Sequence, residues 1–217
     1  MPRSDQYPRT QLIFVRHGHV YNPQNILYGR LPRFRLSQKG LRQAQSVAHA
    51  LKDQSLAAVF SSPMLRARQT ANQILNFHPD LKLQISKHLT EVYTPFEGCA
   101  SRKVDELGGD LYTGSGPPFE QPQDIVDRIQ LFIARIRKKY LGRKIVVVTH
   151  GDNITFMLLW AKKLALTPQY KRNLSVTGIL DHYPATTSMT TFIYRTSLDA
   201  EVPEVVYIRP EDFQHDQ

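Results

Sequence analysis

The feature that most constrains the fold of this chain is a run of apolar residues that stops abruptly at polar ones. Ile145 to Val148 are all apolar and β-branched, and His150-Gly151-Asp152 follow one residue later. Such an uninterrupted run is typical of a strand buried on both faces, as in parallel sheets that are covered by helices. A second short run, Leu12 to Val15, stops in the same way at Arg16-His17-Gly18. We therefore expect two buried strands, each with polar residues at its carboxyl end.

Segments with helical periodicity alternate with further strand-like segments. Four helices are predicted: Ser37 to Leu51, Pro63 to Ile74, Asp124 to Tyr140 and Ile154 to Leu164. The second is marked by Ser61-Ser62-Pro63, in which a capping residue precedes a proline at the first helical position. The other predicted strands are Ala57 to Phe60, Leu81 to Ile85, Val176 to His182, Thr187 to Tyr194 and Val205 to Ile208. This alternation indicates an α/β fold of three layers, α/β/α, around a mainly parallel central sheet.

The length of 217 residues fits one domain, which we expect to span residues 1–217. Residues 1–9 and 210–217 are expected to be flexible tails. The segment 91–123 is rich in glycine, proline and aromatic residues and lacks a clean period. We interpret it as an insertion that borders the functional site, with a short helix near Arg102 to Leu107.

Charge and cysteine content restrict the classes of partner and compartment. Lys and Arg number 28 against 19 Asp and Glu, a net charge of +9 that would attract phosphate-bearing or other acidic molecules. The basic residues are scattered and form no recognition motif, so a nucleic-acid binder is disfavoured. With Cys99 as the one cysteine, no intrachain disulfide can form. The sequence also lacks a secretory or membrane-spanning apolar segment, and we predict a cytoplasmic protein.

The polar residues at the predicted strand ends suggest anion chemistry. Ligands of α/β proteins bind beyond the carboxyl ends of the strands, where His17 and His150 are expected. Arg16 offers a planar, permanently charged group that suits phosphate, and Gly18 would let a ligand approach the backbone closely. Arg66 is expected in the first turn of its helix, where an anion is favoured. A neutral imidazole in such a place can attack phosphorus.

These residues belong to an ordered set of motifs that resembles the histidine phosphatase superfamily, which includes phosphoglycerate mutases and many small phosphatases. The matching segments are Arg16-His17-Gly18, Ser37 through Gly40 with Gln43-Ala44, Ser61-Ser62-Pro63 with Arg66-Ala67 and Gln69-Thr70-Ala71, Leu89 with Glu91 and Glu97-Gly98, and Thr149-His150-Gly151-Asp152. They occur in the order of the family and cover the chain from about Leu12 to Tyr194.

The resemblance implies phosphoryl transfer through a phosphohistidine, with His17 as the nucleophile. Arg16, Arg66 and His150 match the group that holds the transferring phosphoryl oxygens. Glu91 matches the general acid and base, and Glu97 remains the alternative for that role. One ring nitrogen of His17 should be held as a donor, and we predict that the Gly18 carbonyl, or one close to it, accepts from it. Asn22 and Gly151, with Gly18, are expected to contact the phosphate or the substrate.

The sequence departs from the family pattern after the first motif, where His19-Val20 stands in place of Glu-Thr. His17, His19 and His150 could form a metal site, but no carboxylate partner is evident, and we expect no metal and no cofactor. His19 is expected near the mouth of the pocket. Arg30, in a basic loop, is expected to lie over the site and select a second acidic group on the substrate.

The resulting prediction is a metal-independent phosphatase that acts on a small phosphorylated metabolite or another phosphomonoester. Hydrolysis is favoured over mutase activity because we find no inserted basic segment that would retain a bisphosphate. Two alternatives stay open: phosphoglycerate mutase-type phosphotransfer, and a catalytically weak member of the family that binds phosphorylated ligands or proteins.

Overall fold

The predicted run at Lys144–Thr149 forms a strand in the middle of a mixed sheet in the computed structural model, which describes residues 9–196 and 198–209. Within that part of the chain the strands are β1 Thr10–Arg16, β2 Leu56–Ser61, β3 Leu83–Ile85, β4 Lys144–Thr149, β5 Met189–Tyr194 and β6 Glu204–Ile208. Their order is β3-β2-β4-β1-β5-β6. The first four strands pair in parallel, and β5 and β6 are antiparallel to their neighbours.

The helices lie on both faces of this sheet, as the three-layer prediction requires. They are α1 Gln38–Ala50, α2 Leu65–Leu75, α3 Ser101–Glu106, α4 Pro122–Lys139, α5 Gly151–Ala161 and α6 Pro168–Lys171. Two short 3-10 helices, Lys87–Leu89 and Leu174–Thr177, complete the regular structure of the described residues. The α/β fold class is confirmed.

The central strands are apolar throughout because both of their faces are buried. In β1, Leu12 and Phe14 pack into one cluster with α4 and α5, whereas Ile13 and Val15 pack into a second with α1 and α2. All four side chains are buried, at no more than 6% exposure. A continuous apolar run, rather than an alternating one, is what such a position demands.

Three predicted boundaries need correction. Helix α2 begins at Leu65 and not at Pro63, because Met64 is still extended and the Ser62 hydroxyl accepts a hydrogen bond from the Met64 amide. Helix α5 begins at Gly151, directly after β4, rather than at Ile154. Helix α4 begins at Pro122, with Gln121 and Asp124 forming a capping box.

The predicted strand from Val176 to His182 is wrong. The 3-10 helix Leu174–Thr177 enters this segment and ends at Gly178, whose φ of 84° is left-handed. No described strand pairs with the segment, and Leu180 is 82% exposed. The segment is therefore a short helical turn followed by irregular backbone and not a pleated strand.

The expected flexible tails lie largely outside the described residues, of which Arg9 is the first. The short helix predicted near Arg102 to Leu107 is present as α3. Over the part of the chain that the structure covers, no helix combines the length and the apolar character needed to cross a membrane.

Candidate active site

The carboxyl ends of the central strands bring the two motif histidines together. Arg16 and Thr149 are register partners where β1 pairs with β4, so the residues that follow them, His17 and His150, leave the sheet side by side. Their ring centroids are 5.2 Å apart, and both side chains are buried. The two histidines are therefore adjacent because β1 and β4 are parallel and end at paired residues.

The contacts of His17 define which ring nitrogen carries its proton. Nδ1 lies 2.8 Å from the Gly18 carbonyl oxygen, which can only accept, so Nδ1 carries the hydrogen. Nε2 lies 3.1 Å from Nε of Arg66, which can only donate. The free electron pair of His17 is therefore on Nε2 and points towards a guanidinium.

Arg66 lies at the centre of the site although it is only 1% exposed. Its Nη2 donates to the Gly29 carbonyl at 2.9 Å and lies 3.2 Å from Nδ1 of His150. The guanidinium also stacks over the ring of Tyr28, with 4.7 Å between its central carbon and the ring centroid. As the second residue of α2 it places its charge at the amino end of that helix, where an anion is favoured.

The second histidine is held from its far side. Nε2 of His150 lies 2.7 Å from the hydroxyl oxygen of Ser62, which follows β2. Because the Arg66 guanidinium can only donate, Nδ1 of His150 accepts and Nε2 donates to Ser62 in this arrangement. A hydroxyl can also donate, so the same contact permits the opposite tautomer.

Burial and neighbouring cations keep both imidazoles neutral. The pKa of His17 is lowered well below its usual value, first by burial and then by the charges of Arg66 and Arg16. Burial, Arg66 and His17 lower the pKa of His150 in the same way. Neutral rings with a free electron pair are what nucleophilic or hydrogen-bonding roles require at ordinary pH.

Glu91 is the carboxyl group that faces these rings. Its Oε2 lies 3.4 Å from Nδ1 of His150 and 3.6 Å from Nη2 of Arg66, while Oε1 accepts from the Val92 amide at 3.0 Å. Burial raises the pKa of Glu91 and the charge of Asp152 adds to this, against the opposing effect of Arg66. A carboxyl group with a raised pKa is suited to give up and recover a proton.

The alternative carboxylate, Glu97, lies elsewhere. Its Oε1 accepts a short hydrogen bond from the Arg30 amide, so it holds the backbone of the loop at Gly29 and Arg30. The structure therefore brings Glu91, and not Glu97, to the two histidines.

Arg30 and Asn22 do not reach the site in the expected way. Nε of Arg30 donates to the Glu91 carbonyl at 2.6 Å, and its Nη2 is paired with Glu120 at 2.7 Å. It does not line the cavity described below, so the expectation that it selects a second acidic group lacks structural support. The amide of Asn22 lines the cavity, but its side-chain nitrogen and oxygen both bond to the backbone of Ile26.

Glu120 is a residue that the sequence reasoning missed. Its carboxylate accepts from the Tyr93 amide at 2.8 Å and pairs with Arg30 and with Arg128, each at 2.7 Å. Because Arg30 also holds the Glu91 carbonyl, this network fixes the backbone at Glu91 and at Tyr93. No motif marks Glu120, since its partners come from three separate segments of the chain.

A second missed group surrounds Asp152. The hydroxyl groups of Tyr112 and Tyr183 each donate to its carboxylate at 2.5 Å, and Lys171 donates at 2.9 Å. Burial raises the pKa of Asp152, but Lys171 and the two hydroxyl groups together hold this pKa below its usual value. The ring of Tyr183 lies 4.8 Å beneath the guanidinium of Arg16. Only Asp152 carried a sequence signal, through its place in the His150 motif.

Arg16 is held at the edge of the site by the segment that precedes β5. Its Nη1 donates to the Pro184 carbonyl at 2.5 Å, while the Arg16 amide donates to the Ser188 carbonyl at 3.2 Å. Its Nε is buried without a hydrogen-bond acceptor among the described residues. An anion placed between Arg16 and Arg66 would meet a donor from each side.

Two glycines allow the elements of the site to approach closely. A Cβ on Gly151 would lie 2.2 Å from the Tyr183 hydroxyl oxygen. A Cβ on Gly18 would lie 2.5 Å from the Gly40 carbonyl oxygen, where α1 packs against the loop after β1. A side chain at either position would have to displace its neighbour.

A cavity of about 320 Å³ opens next to Arg16 and Glu91. Residues from the loop after β1, from the segment 91–123 and from α6 line it. The insertion that was expected to border the site therefore supplies one wall of this cavity. His19 is not among its lining residues; it is exposed and lies 2.8 Å from the Ser37 hydroxyl oxygen.

Among the described residues, one group could hold a metal ion: the ligand atoms of His17, Glu91 and His150 all lie within 4.8 Å of one another. The guanidinium of Arg66 lies 3.1 to 3.6 Å from each of the three. A metal cation there would have to displace or oppose this buried charge. The arrangement suits an anion in contact with Arg66 better than a cation beside it.

Comparison with known proteins agrees with the motifs. The family model described as histidine phosphatase superfamily (branch 1) matches residues 12–190. An uncharacterized protein of Mycobacterium tuberculosis is 37% identical over 165 residues, which cover 73% of this chain and 79% of that protein.

Solved structures share the fold. A mycobacterial glucosyl-3-phosphoglycerate phosphatase aligns with a TM-score of 0.74 over 91% of this chain and 97% of its own, at 20% identity. A phosphoserine phosphatase from Entamoeba histolytica, solved with 3-phosphoglyceric acid, aligns with a TM-score of 0.71 over 94% and 99%, at 23% identity. At these identities the likeness concerns the fold alone.

Proposed function

This chain belongs to the histidine phosphatase superfamily, and we propose that it hydrolyses phosphomonoesters without a metal, through a phosphohistidine on His17. The observation that carries the proposal is the contact pair of His17. The Gly18 carbonyl holds the hydrogen on Nδ1 and leaves the electron pair on Nε2, facing Arg66. An imidazole in this state is ready to attack a phosphorus atom whose oxygens the guanidinium would bind.

In the first step Nε2 of His17 forms a bond to phosphorus and the phosphorus–oxygen ester bond breaks. Glu91, whose pKa is raised by burial, gives a proton to the leaving oxygen in its protonated form. In the second step the Glu91 carboxylate takes a proton from water, whose oxygen attacks phosphorus as the phosphorus–nitrogen bond breaks. Phosphate leaves, and both His17 and Glu91 return to their starting states.

Arg16, Arg66 and His150 would hold the phosphoryl oxygens during both steps. The two guanidiniums supply charge where it accumulates on those oxygens, which is the main requirement of phosphoryl transfer. His150 is neutral but can present Nδ1–H when the Ser62 hydroxyl donates to its Nε2. An arriving anion would also replace the contact between Arg66 and the nucleophile.

Hydrolysis of an aryl phosphate with and without chelator tests the proposal. We expect full activity in the presence of chelator, and loss of activity in the His17→Ala variant. Activity that disappears with chelator, or that persists in His17→Ala, would contradict it. Binding of phosphorylated compounds without any turnover would instead favour the binding-protein alternative.

A further inference from the structure

The cavity beside Glu91 is where the alcohol part of a substrate must lie if the proposed function holds. Glu91 lines this cavity together with Arg16, and the leaving oxygen has to be within reach of the Glu91 carboxyl group. The chemistry of the other walls therefore decides which alcohols are accepted.

The most buried cation that lines the cavity, Lys171, already has an anionic partner. Nζ of Lys171 lies 2.9 Å from Oδ2 of Asp152, with both side chains 5% exposed, and it also donates to the Gly109 carbonyl at 2.9 Å. A second anionic group of a substrate would have to break this buried pair. Separating such a pair is unfavourable because it leaves a buried charge without its partner.

The outer cation is paired as well. Nη2 of Arg172 lies 3.1 Å from Oδ1 of Asp105, and both residues line the cavity near solvent. Beyond the phosphate-binding Arg16, the lining cations Lys171 and Arg172 are thus matched by the carboxylates Asp152 and Asp105. A carboxylate or a second phosphate on the substrate would meet no uncompensated cation among the described lining residues.

The remaining walls are mainly aliphatic or aromatic, and Thr94 and Ser101 add hydroxyl groups to them. Ile26, Leu27, Val104 and Leu111 supply aliphatic surface, and the ring of Tyr28 is also exposed to the cavity. Asn22 adds little hydrogen-bonding capacity, since both ends of its amide are used by the Ile26 backbone.

On the premise of the proposed function, we propose that the substrates are monoesters of uncharged, largely apolar alcohols or phenols. The cavity selects against esters whose alcohol carries a carboxylate or a second phosphate. This selectivity depends on two ion pairs, Lys171 with Asp152 and Arg172 with Asp105, which leave both cations next to the apolar walls with an anionic partner.

A matched pair of esters tests this: para-propylphenyl phosphate and para-(carboxymethyl)phenyl phosphate. The two are similar in size, and a methylene group separates the carboxylate from the ring, so the leaving phenols are similar in acidity. We expect kcat/KM to favour the neutral ester by at least about fivefold, because an unpaired charge is costly to desolvate. A smaller ratio, or one that favours the anionic ester, would overturn the inference.

The variant Asp105→Asn tests the role of the outer ion pair. Freed from Asp105, Arg172 can pair with the carboxylate of the substrate, and the preference for the neutral ester should fall by about two- to fivefold. Glu106→Gln is the matched control, because it removes the same charge from the next position of α3 without lining the cavity. Equal ratios in the two variants would overturn the role assigned to Asp105.

Binding of the corresponding benzylphosphonates, measured by calorimetry, separates failure of this inference from failure of the proposed function. If the phosphonates bind in the expected order but neither ester is hydrolysed, the proposed function fails and the inference on selectivity stands. If both esters are hydrolysed without the preference, only the inference fails. If neither phosphonate binds and neither ester is hydrolysed, both fail.

Discussion

At the scale of single residues, the site depends on what each ring nitrogen touches. A backbone carbonyl fixes the tautomer of His17, whereas His150 rests on a hydroxyl that can donate or accept. The first contact was predictable from the sequence, because its acceptor belongs to the adjacent residue. The contact of His150 with Ser62 was not, because it joins residues 88 positions apart.

The role proposed for Glu91 leads to a prediction about leaving groups. In Glu91→Gln, kcat/KM for an alkyl phosphate should fall by about 10²–10⁴, because the amide cannot protonate an alkoxide. The loss should be smaller for para-nitrophenyl phosphate, whose phenolate leaves without a proton. Steady-state kinetics on both esters measure the difference.

Glu97→Gln is the comparison for that measurement. Glu97 holds the Arg30 amide and does not face the histidines, so any loss should be similar for both esters. Leaving-group dependence in Glu97→Gln but not in Glu91→Gln would contradict the assignment of the acid.

At the scale of elements, the strands and helices next to the motifs followed from the sequence, and the loops did not. A continuous apolar run such as Ile145 to Val148 fits a central strand that is buried on both faces of the sheet. The segment after Leu174 has no such constraint, and its 3-10 helix ends at Gly178, whose φ is left-handed. The role of Arg30 was misjudged and Glu120 was missed, because the ion pair between them depends on the tertiary contact of two loops.

The packing of α1 against the loop after β1 gives a second prediction. In Gly40→Ala the new Cβ would lie 2.0 Å from the His19 carbonyl oxygen, which is backbone and cannot rotate away. We expect the free energy of unfolding to fall by about 1–3 kcal/mol, even though alanine favours a helix over glycine. Urea denaturation measures the change.

Lys39→Ala is the control for this packing effect, because Lys39 is exposed in the same turn of α1. It should leave the free energy of unfolding within about 0.5 kcal/mol of the parent chain. Equal stabilities of the two variants would contradict the close approach of α1 and the loop.

At the scale of the whole molecule, the buried histidines link folding to pH. Their folded pKa values lie below the ordinary 6.5, so below that pH the unfolded chain binds protons that the folded chain does not. The contribution of the two histidines to the free energy of unfolding is therefore complete above pH 6.5 and decreases as the pH falls below that value. Glu91 acts in the opposite direction, because its raised pKa favours the folded state in acid and this contribution is lost as the pH rises.

We predict that two histidines outweigh one carboxyl group, so that Tm decreases by a few degrees from about pH 7.5 to about pH 5. The decrease should be smaller in His17→Asn, which removes one of the two groups. Calorimetry across this range measures both slopes, and an equal or steeper decrease in the variant would contradict the linkage.

The central claim is that His17 carries the phosphoryl group between the two steps. The most direct test is rapid acid-free quenching during turnover of a radiolabelled aryl phosphate, followed by peptide mapping. We predict a label that is stable in alkali, is lost in acid and is located on His17. Turnover without such a label, or a label on another residue, would contradict the account.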